Sequence, residues 1–348
     1  MPKHGPITCN ECKSFMSHIG TNTYGVYSCD VLSTTGGELV LENNPLSFGA
    51  SNPDVLILGF SKGGNQNNKL ETSQACTNTK ILDDKKFRTI AFHTHQPKIE
   101  IILKEIGLIS EHETFAELLD PIESLFQFGS VIKCSLYIPD PDPKLKPKHD
   151  YSRKKIMNAS TDAKKIMNNC INKHHSDIKD HALIIHFGTD KDYLEIIESI
   201  NIFDDGINKY GEAKYATIDK TTWLFIDHPT YLRIPKNMNY FIENKAKDYR
   251  YIIKNHYQNG INDICEKIDA YSHETGQGEK FSAKLSFNED EWRIEIANAI
   301  SLDSDENGGS EFDYLSSLEG VSCPTPLMAF NNFKFSVNQY LEELNMST

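Results

Sequence analysis

The sequence lacks any apolar run approaching the roughly 18 residues that cross a bilayer. Runs such as Val55-Leu56-Ile57-Leu58 and Leu183-Ile184-Ile185 are only a strand long. It also lacks an apolar leader, because Met1-Pro2-Lys3-His4-Gly5 has none of a secretory signal's core. Membrane, secreted and fibrous classes are therefore excluded, and the expectation is a soluble cytoplasmic chain without a membrane partner. An excess of basic residues is lacking too. The 348 residues hold 36 Lys and Arg against 49 Asp and Glu, a net charge of −13. That deficit is concentrated, since residues 261–348 hold 17 acidic and 5 basic residues, a net of −12, which leaves −1 for everything before them. Net charge describes the average field, so a polyanion-binding face on the first part remains open.

The length suits two domains and a core that needs no disulfide staples. Charge places the boundary after residue 258, with a main domain over 1–258 and an acidic appendage over 259–348. Within the main domain, short apolar runs alternate with helical spacing. Asp54–Phe60 reads as a buried parallel strand, Ile99–Leu108 as a helix stopped at Gly107, and Ser130–Leu136 as a second strand. A Pro/Lys-rich loop (Pro139–Lys148) follows, then a helix over Thr161–Lys173, a strand over Ala182–Phe187 ending at Gly188, and a strand over Trp223–Ile226. This rhythm predicts an α/β fold, a three-layer α/β/α sandwich with a mostly parallel central sheet. Its site belongs at the carboxyl ends of the strands, near Gly59, Cys134, Gly188 and His228. The appendage reads as a small α+β unit, with strands over Lys280–Phe287 and Trp292–Ala297, an acidic Gly/Ser stretch, and a helix over Ser336–Leu344. Its charge suggests a protein partner or self-association.

Eight cysteines are present, and Cys9-Asn10-Glu11-Cys12 forms a C-x-x-C. In a cytosolic chain such a pair reads as a metal or redox site before a disulfide. His93 and His95 alternate as on a strand and read as pocket-lining or solvent-facing, because no third ligand is evident. The run Lys144, Lys146, Lys148, Arg153, Lys154 and Lys155 is either a solvated face or a phosphate-contacting one.

Four stretches in order carry a resemblance. They are Pro53–Asn65 (PDVLILGFSKGGN), Phe87–Leu108, Gly129–Asp142 (GSVIKCSLYIPDPD) and His228–Ile252, which begins His-Pro-Thr-Tyr-Leu-Arg. Together they resemble the uracil-DNA glycosylase superfamily, in particular its iron–sulfur branches, over roughly residues 5–255. The resemblance implies a DNA-binding enzyme that flips a nucleotide and hydrolyses the bond between its sugar and base. It implies that His228 hydrogen-bonds the departing base, whose developing charge needs electrostatic stabilisation. In the first loop, Phe60 and Ser61 stand where many relatives carry Asp, Asn or Glu, and neither can act as a carboxylate base. Asn65 is then the best group to hold the water, with Gln66 second; both also suit a helix cap. Phe60, Gly63, Gly64, Phe92 and Ser130 complete the implied base pocket, with Phe92 as the stacking ring and Phe87 as the alternative. Ser130 stands in place of the asparagine that reads uracil, so the expected base is not uracil but a larger one, such as a modified phage cytosine. Lys62 could form the Schiff base of a lyase, but a loop lysine beside DNA more often contacts phosphate; Tyr231, Leu232 and Arg233 are the candidates for insertion into DNA. Cys9, Cys12, Cys134 and Cys170 take the places of the family's ligands to a 4Fe–4S cluster; zinc is the alternative, and Cys29 the alternative fourth ligand.

Overall fold

The computed structural model describes residues 4–7, 9, 18–21, 28–34, 37–43, 45–77, 80–138, 155–157, 161–174, 178–199, 202–274, 282–288, 291–298 and 321–347. Its strands are β1 (Gly5–Pro6), β2 (His18–Thr21), β3 (Ser28–Thr34), β4 (Gly37–Asn43), β5 (Leu46–Gly49), β6 (Val55–Gly59), β7 (Phe126–Ser130), β8 (Ser135–Tyr137), β9 (Leu183–Phe187), β10 (Asn208–Tyr210), β11 (Ala213–Ile218), β12 (Thr221–Ile226), β13 (Ser282–Asn288) and β14 (Glu291–Asn298). The chain divides into two compact units, Met1–Ile101 with Glu113–Phe241, and Ile102–His112 with Ile242–Thr348.

The first unit is an α/β sandwich on an eight-stranded sheet of order β1-β5-β7-β6-β9-β12-β11-β10. Its centre is parallel, through the pairs β6–β7, β6–β9 and β9–β12, and its flanks are antiparallel. The central strands β6 and β9 are buried along their whole length, which explains why they read as continuous apolar runs rather than alternating ones. Leu56, Leu58, Ile184, Trp223 and Phe225 face a core shared with the helices Thr161–His174 and Lys191–Glu198. On the other face the Phe128 ring meets Phe115 at 4.8 Å and Phe92 at 6.3 Å. Phe48, from β5, stacks on Phe87 at 4.6 Å. Two covered faces make three layers.

The strand expected over Ser130–Leu136 is divided. The sheet uses Phe126–Ser130, and β8 pairs instead with β4 in a separate sheet of order β2-β3-β4-β8. Between them the amides of Val131 and Ile132 donate to the carbonyls of Gly59 and Phe60 at 2.8 and 2.9 Å. This crossover therefore remains tied to the end of β6, and its apolar residues are buried without being a regular strand.

The second unit holds the helix Ala246–Glu274, the β13–β14 hairpin and the helix Pro326–Ser347. The boundary expected after residue 258 falls inside the first of these helices. Charge located the acidic composition, whereas packing follows the apolar stripe of the helix, from Tyr249 through Tyr257 and Ile261 to Ile268. Gln258 fixes hairpin to helix, accepting from the Leu285 amide at 2.7 Å and donating to the Ala283 carbonyl at 3.1 Å. The last helix opens with Pro326 in its first turn, and its Met328 amide donates to the Thr325 hydroxyl at 3.2 Å. Among the described residues no helix is long and apolar enough to cross a membrane.

Candidate functional site

The parallel strands of the first unit all end at one edge of the sheet, where their following loops enclose a cavity of about 600 Å³. That is ample for a small organic group. It brings together Phe60, Ser61, Gly63, Gly64, Asn65, Gln66, Phe92, Ser130, His228 and Tyr231, all named from the sequence. Gly59, His93, His95, Asp190 and Thr230 complete the lining.

His228 leaves the end of β12 in a tight turn, its carbonyl accepting from the amides of Tyr231 and Leu232 at 2.8 and 3.2 Å. The Thr230 amide donates to His228 Nδ1 at 3.1 Å. A backbone amide can only donate, so in the neutral ring the proton resides on Nε2. The Thr230 hydroxyl lies 3.4 Å from His95 Nε2, and the His95 ring stands edge-on to His228, 5.6 Å between centroids. Burial, aided by the Arg233 guanidinium, holds His95 below the usual histidine pKa and so favours its neutral form. Beneath the turn, the Thr189 hydroxyl donates to the buried Asp227 carboxylate, and Lys214 Nζ donates to the Thr189 carbonyl at 3.0 Å.

The opposite wall is aromatic and strained. Phe92 has φ 47° and Thr94 φ 77°, left-handed values that side-chain-bearing residues seldom adopt. The Phe92 ring is braced edge-on by Phe128 and by Phe187, the latter at 5.9 Å, and remains half-buried beside the cavity. It has the build of a stacking platform. The third wall is the start of the helix Gly64–Ser73. Its N-cap Gly63 supplies no capping side chain, and Gly64, Asn65 and Gln66, whose amides form the positive end of the helix, all line the cavity. A Cβ on Gly63 would meet nothing within 4 Å, so this wall is open.

Two residues expected to touch DNA are placed otherwise. Lys62 is only 2% exposed, and its ammonium donates to the Lys133 carbonyl. It turns inward because the chain after β6 packs over the crossover that carries Lys133. Leu232 is fully buried, the inward member of a turn whose Tyr231 and Arg233 point outward. Tyr231, 56% exposed and lining the cavity, is the better-placed insertion candidate. Lys144, Lys146 and Lys148 lie outside the described residues. The sequence reading missed Asp190 and Thr230 as site residues. Asp190 had a signal, since it follows Gly188 at the end of a parallel strand as the first loop follows Gly59.

Of the four cysteines expected to hold a cluster, Cys134 and Cys170 are buried in one apolar core, Cys9 is half-buried, and Cys12 lies outside the described residues. Among the described residues no three His, Cys, Asp or Glu side chains converge as a metal site. One observation nevertheless suits an anionic thiolate cluster. Lys133 Nζ is buried and makes no hydrogen bond. Burial draws its pKa down to about 8, against the opposing influence of Cys170. A buried ammonium without an acceptor is costly, and a negative cluster, were one bound beside it, would offset that cost.

Comparison of the chain with protein-family models, with curated proteins and with solved structures gave no match.

Proposed function

We propose that the chain is a monofunctional DNA glycosylase, which hydrolyses the N-glycosidic bond of a flipped, modified base and leaves an abasic site. The observation that carries this reading is His228, whose ring is oriented by the Thr230 amide so that Nε2–H is the donor. The motif order of the uracil-DNA glycosylase superfamily supports it.

A flipped base stacks on Phe92 with its edge toward Ser130. As the C1′–N bond lengthens, electrons flow to the base, and the Nε2–H of His228 hydrogen-bonds the oxygen beside that bond. A donor fixed in advance stabilises the developing charge without reorganising, worth about 10²–10³ in rate for one such group. His95, held neutral, adds no competing charge next to it. The first-turn amides of the Gly64–Ser73 helix present partial positive charge on the same cavity. Ser130 carries one hydroxyl and cannot make the paired contacts that select uracil. With the open wall at Gly63, this favours a larger base such as a modified cytosine. A 4Fe–4S cluster on Cys9, Cys12, Cys134 and Cys170 is part of the proposal, with a structural role clamping the N-terminal segment. Iron and sulfide analysis tests it, with bound zinc as the contrary result.

The deciding experiment scores abasic sites after incubation with DNA carrying uracil, hypoxanthine, hydroxymethylcytosine or glucosylated hydroxymethylcytosine. Release from one of the non-uracil substrates, lost in His228→Ala, is expected. A second reading, a silent sensor of modified DNA, is favoured by the first loop, where Ser61, Asn65 and Gln66 replace a carboxylate. It predicts tight binding to one modified duplex with every base retained.

A further inference from the structure

The proposed role of His228 depends on one backbone amide, that of Thr230, which sets the tautomer of its ring. An amide fixes a ring only if the residue that bears it is itself fixed. The turn's own bonds, from the amides of Tyr231 and Leu232 to the His228 carbonyl, close within the turn and do not tie it to another element. Leu232 is fully buried and anchors the far end, but Thr230 stands exposed at the tip.

Thr230 is met there by a residue 135 positions earlier in the chain. Its hydroxyl lies 3.4 Å from His95 Nε2, the loose end of hydrogen-bonding distance. Bonds in catalytic sites are often long until a substrate closes on them. A neutral imidazole carries one N–H and one lone pair, and a hydroxyl can donate or accept, so the pair can bond in either tautomer of His95. Burial and the Arg233 guanidinium favour that neutral form. The two rings stand edge-on across Thr230, 5.6 Å between centroids.

His95 has the support that Thr230 needs from a partner. Its amide donates to the Phe92 carbonyl at 2.7 Å, and its carbonyl accepts from the amides of Lys98 and Ile99, both at 3.0 Å, which seats it at the start of the helix Gln96–Glu105. Gln96 Nε2 donates back to the Ala91 carbonyl at 2.8 Å, and Ala91 and Ile99 are fully buried. Thr94, just before it, is a β-branched residue at φ 77°, a left-handed conformation held only at a cost. Such strain persists where the surrounding structure imposes it, and here it belongs to the bend that brings Phe92 and His95 to the cavity.

We propose that His95 is a positioning residue for His228: by holding the Thr230 hydroxyl it fixes the amide that keeps the His228 proton on Nε2. Its effect on base release rests on the glycosylase reading; its effect on the His228 ring does not. Removing either end of the link lets that ring sample the other tautomer. That form presents a lone pair at Nε2, which repels a base gathering negative charge instead of stabilising it.

The test uses the whole chain with isotope-labelled histidine, as wild type and as His95→Phe, Thr230→Val, the two combined, and His95→Gln, whose amide can still meet the hydroxyl. Nitrogen NMR tells a protonated ring nitrogen from a bare one, and His228→Ala identifies the signals of that ring. Wild type and His95→Gln should show His228 protonated on Nε2, whereas His95→Phe and Thr230→Val show a mixture of tautomers. On the DNA that wild type cleaves, each of these two variants should slow release by about 10-fold at saturating DNA, as for one hydrogen bond, with duplex binding and melting temperature kept. The double variant should be no slower than either single one, because both remove the same contact. An unchanged tautomer or an unchanged rate in His95→Phe or Thr230→Val overturns the assignment. So do losses that multiply to about 100-fold in the double variant. In each of those cases release by wild type leaves the glycosylase reading intact. If the tautomers respond as expected but wild type releases no base from any DNA, the glycosylase reading fails while the hold of His95 on the His228 ring stands.

Discussion

The carboxyl edge of the main sheet and the second compact unit handle their polar groups in opposite ways. At the sheet edge, histidines, amides, hydroxyls and a carboxylate converge on open space, beside two residues in left-handed backbone conformations. In the second unit two polar side chains tie its elements together. Gln258 binds two backbone groups of β13, and Thr325 caps the last helix. Its interior is apolar, with Tyr257 against Phe330 at 5.3 Å and Trp292 and Ile294 buried alongside. The first arrangement gives up local stability for a prepared surface, whereas the second uses polar bonds to fix its packing. Substitutions should therefore alter activity at the sheet edge and stability in the second unit.

The largest expected effect tests that division from the stability side. Phe330 is 1% exposed, and Phe330→Ala removes a buried ring. A loss of about 3–5 kcal/mol is expected in denaturant unfolding. Base release measured well below the lowered midpoint should stay unchanged; a parallel loss of turnover would break the comparison. His228→Ala tests it from the other side. Release should fall by about 10²–10³-fold, with an unfolding midpoint close to wild type, because the turn's main bonds are made by backbone carbonyl and amide. Phe92→Ala comes next, weakening binding of a flipped-base duplex by about 1–3 kcal/mol in titration. A smaller effect would mean that the ring serves the core contacts with Phe128 and Phe187 and not a base.

The sheet was legible because β6, β9 and β12 are covered on both faces and so carry unbroken apolar runs. The cavity was legible because parallel strands end together, which gathers residues as distant as Ser61 and His228. What escaped notice depended on contacts the chain order does not reveal. Lys62 appeared free to reach phosphate, yet its hydrogen bond is to a carbonyl 71 residues later. Leu232 looked like a wedge beside Tyr231, but a tight turn alternates its side chains and one of the two had to face the core. Asp190 reads locally as a helix cap, and only the fold brings it to the lining of the cavity. The boundary drawn from charge and the compact units differ because charge composition and helix packing change at different positions.

Acid sharpens the comparison on a finer scale. His95 has its pKa held below the ordinary value of about 6.5 by burial and by Arg233. The unfolded chain therefore binds this proton more readily than the folded one, and stability rises with pH across the interval between the two values. His95 contributes fully above the ordinary value, and its contribution is lost as pH falls through the lowered one. His95→Gln should flatten that part of the curve of melting temperature against pH, leaving the neutral plateau nearly unchanged. An equal slope in wild type and variant would place the acid sensitivity elsewhere, with His4 the next candidate, since burial also lowers its pKa.

The smallest effect expected is also the most local. Gly63 has φ −78°, which any residue adopts, and a Cβ there meets nothing within 4 Å. Gly63→Ala should therefore change stability by no more than about 0.5 kcal/mol, whereas a glycine packed against neighbours would not tolerate it. Because the added methyl enters the cavity, its influence appears in the choice of base. Release of a bulky modified base should slow relative to a small one such as hypoxanthine, by about 10-fold or less for one methyl group. An unchanged ratio would mean that the bulk of the substrate lies along another wall, toward Asp190 and Tyr231.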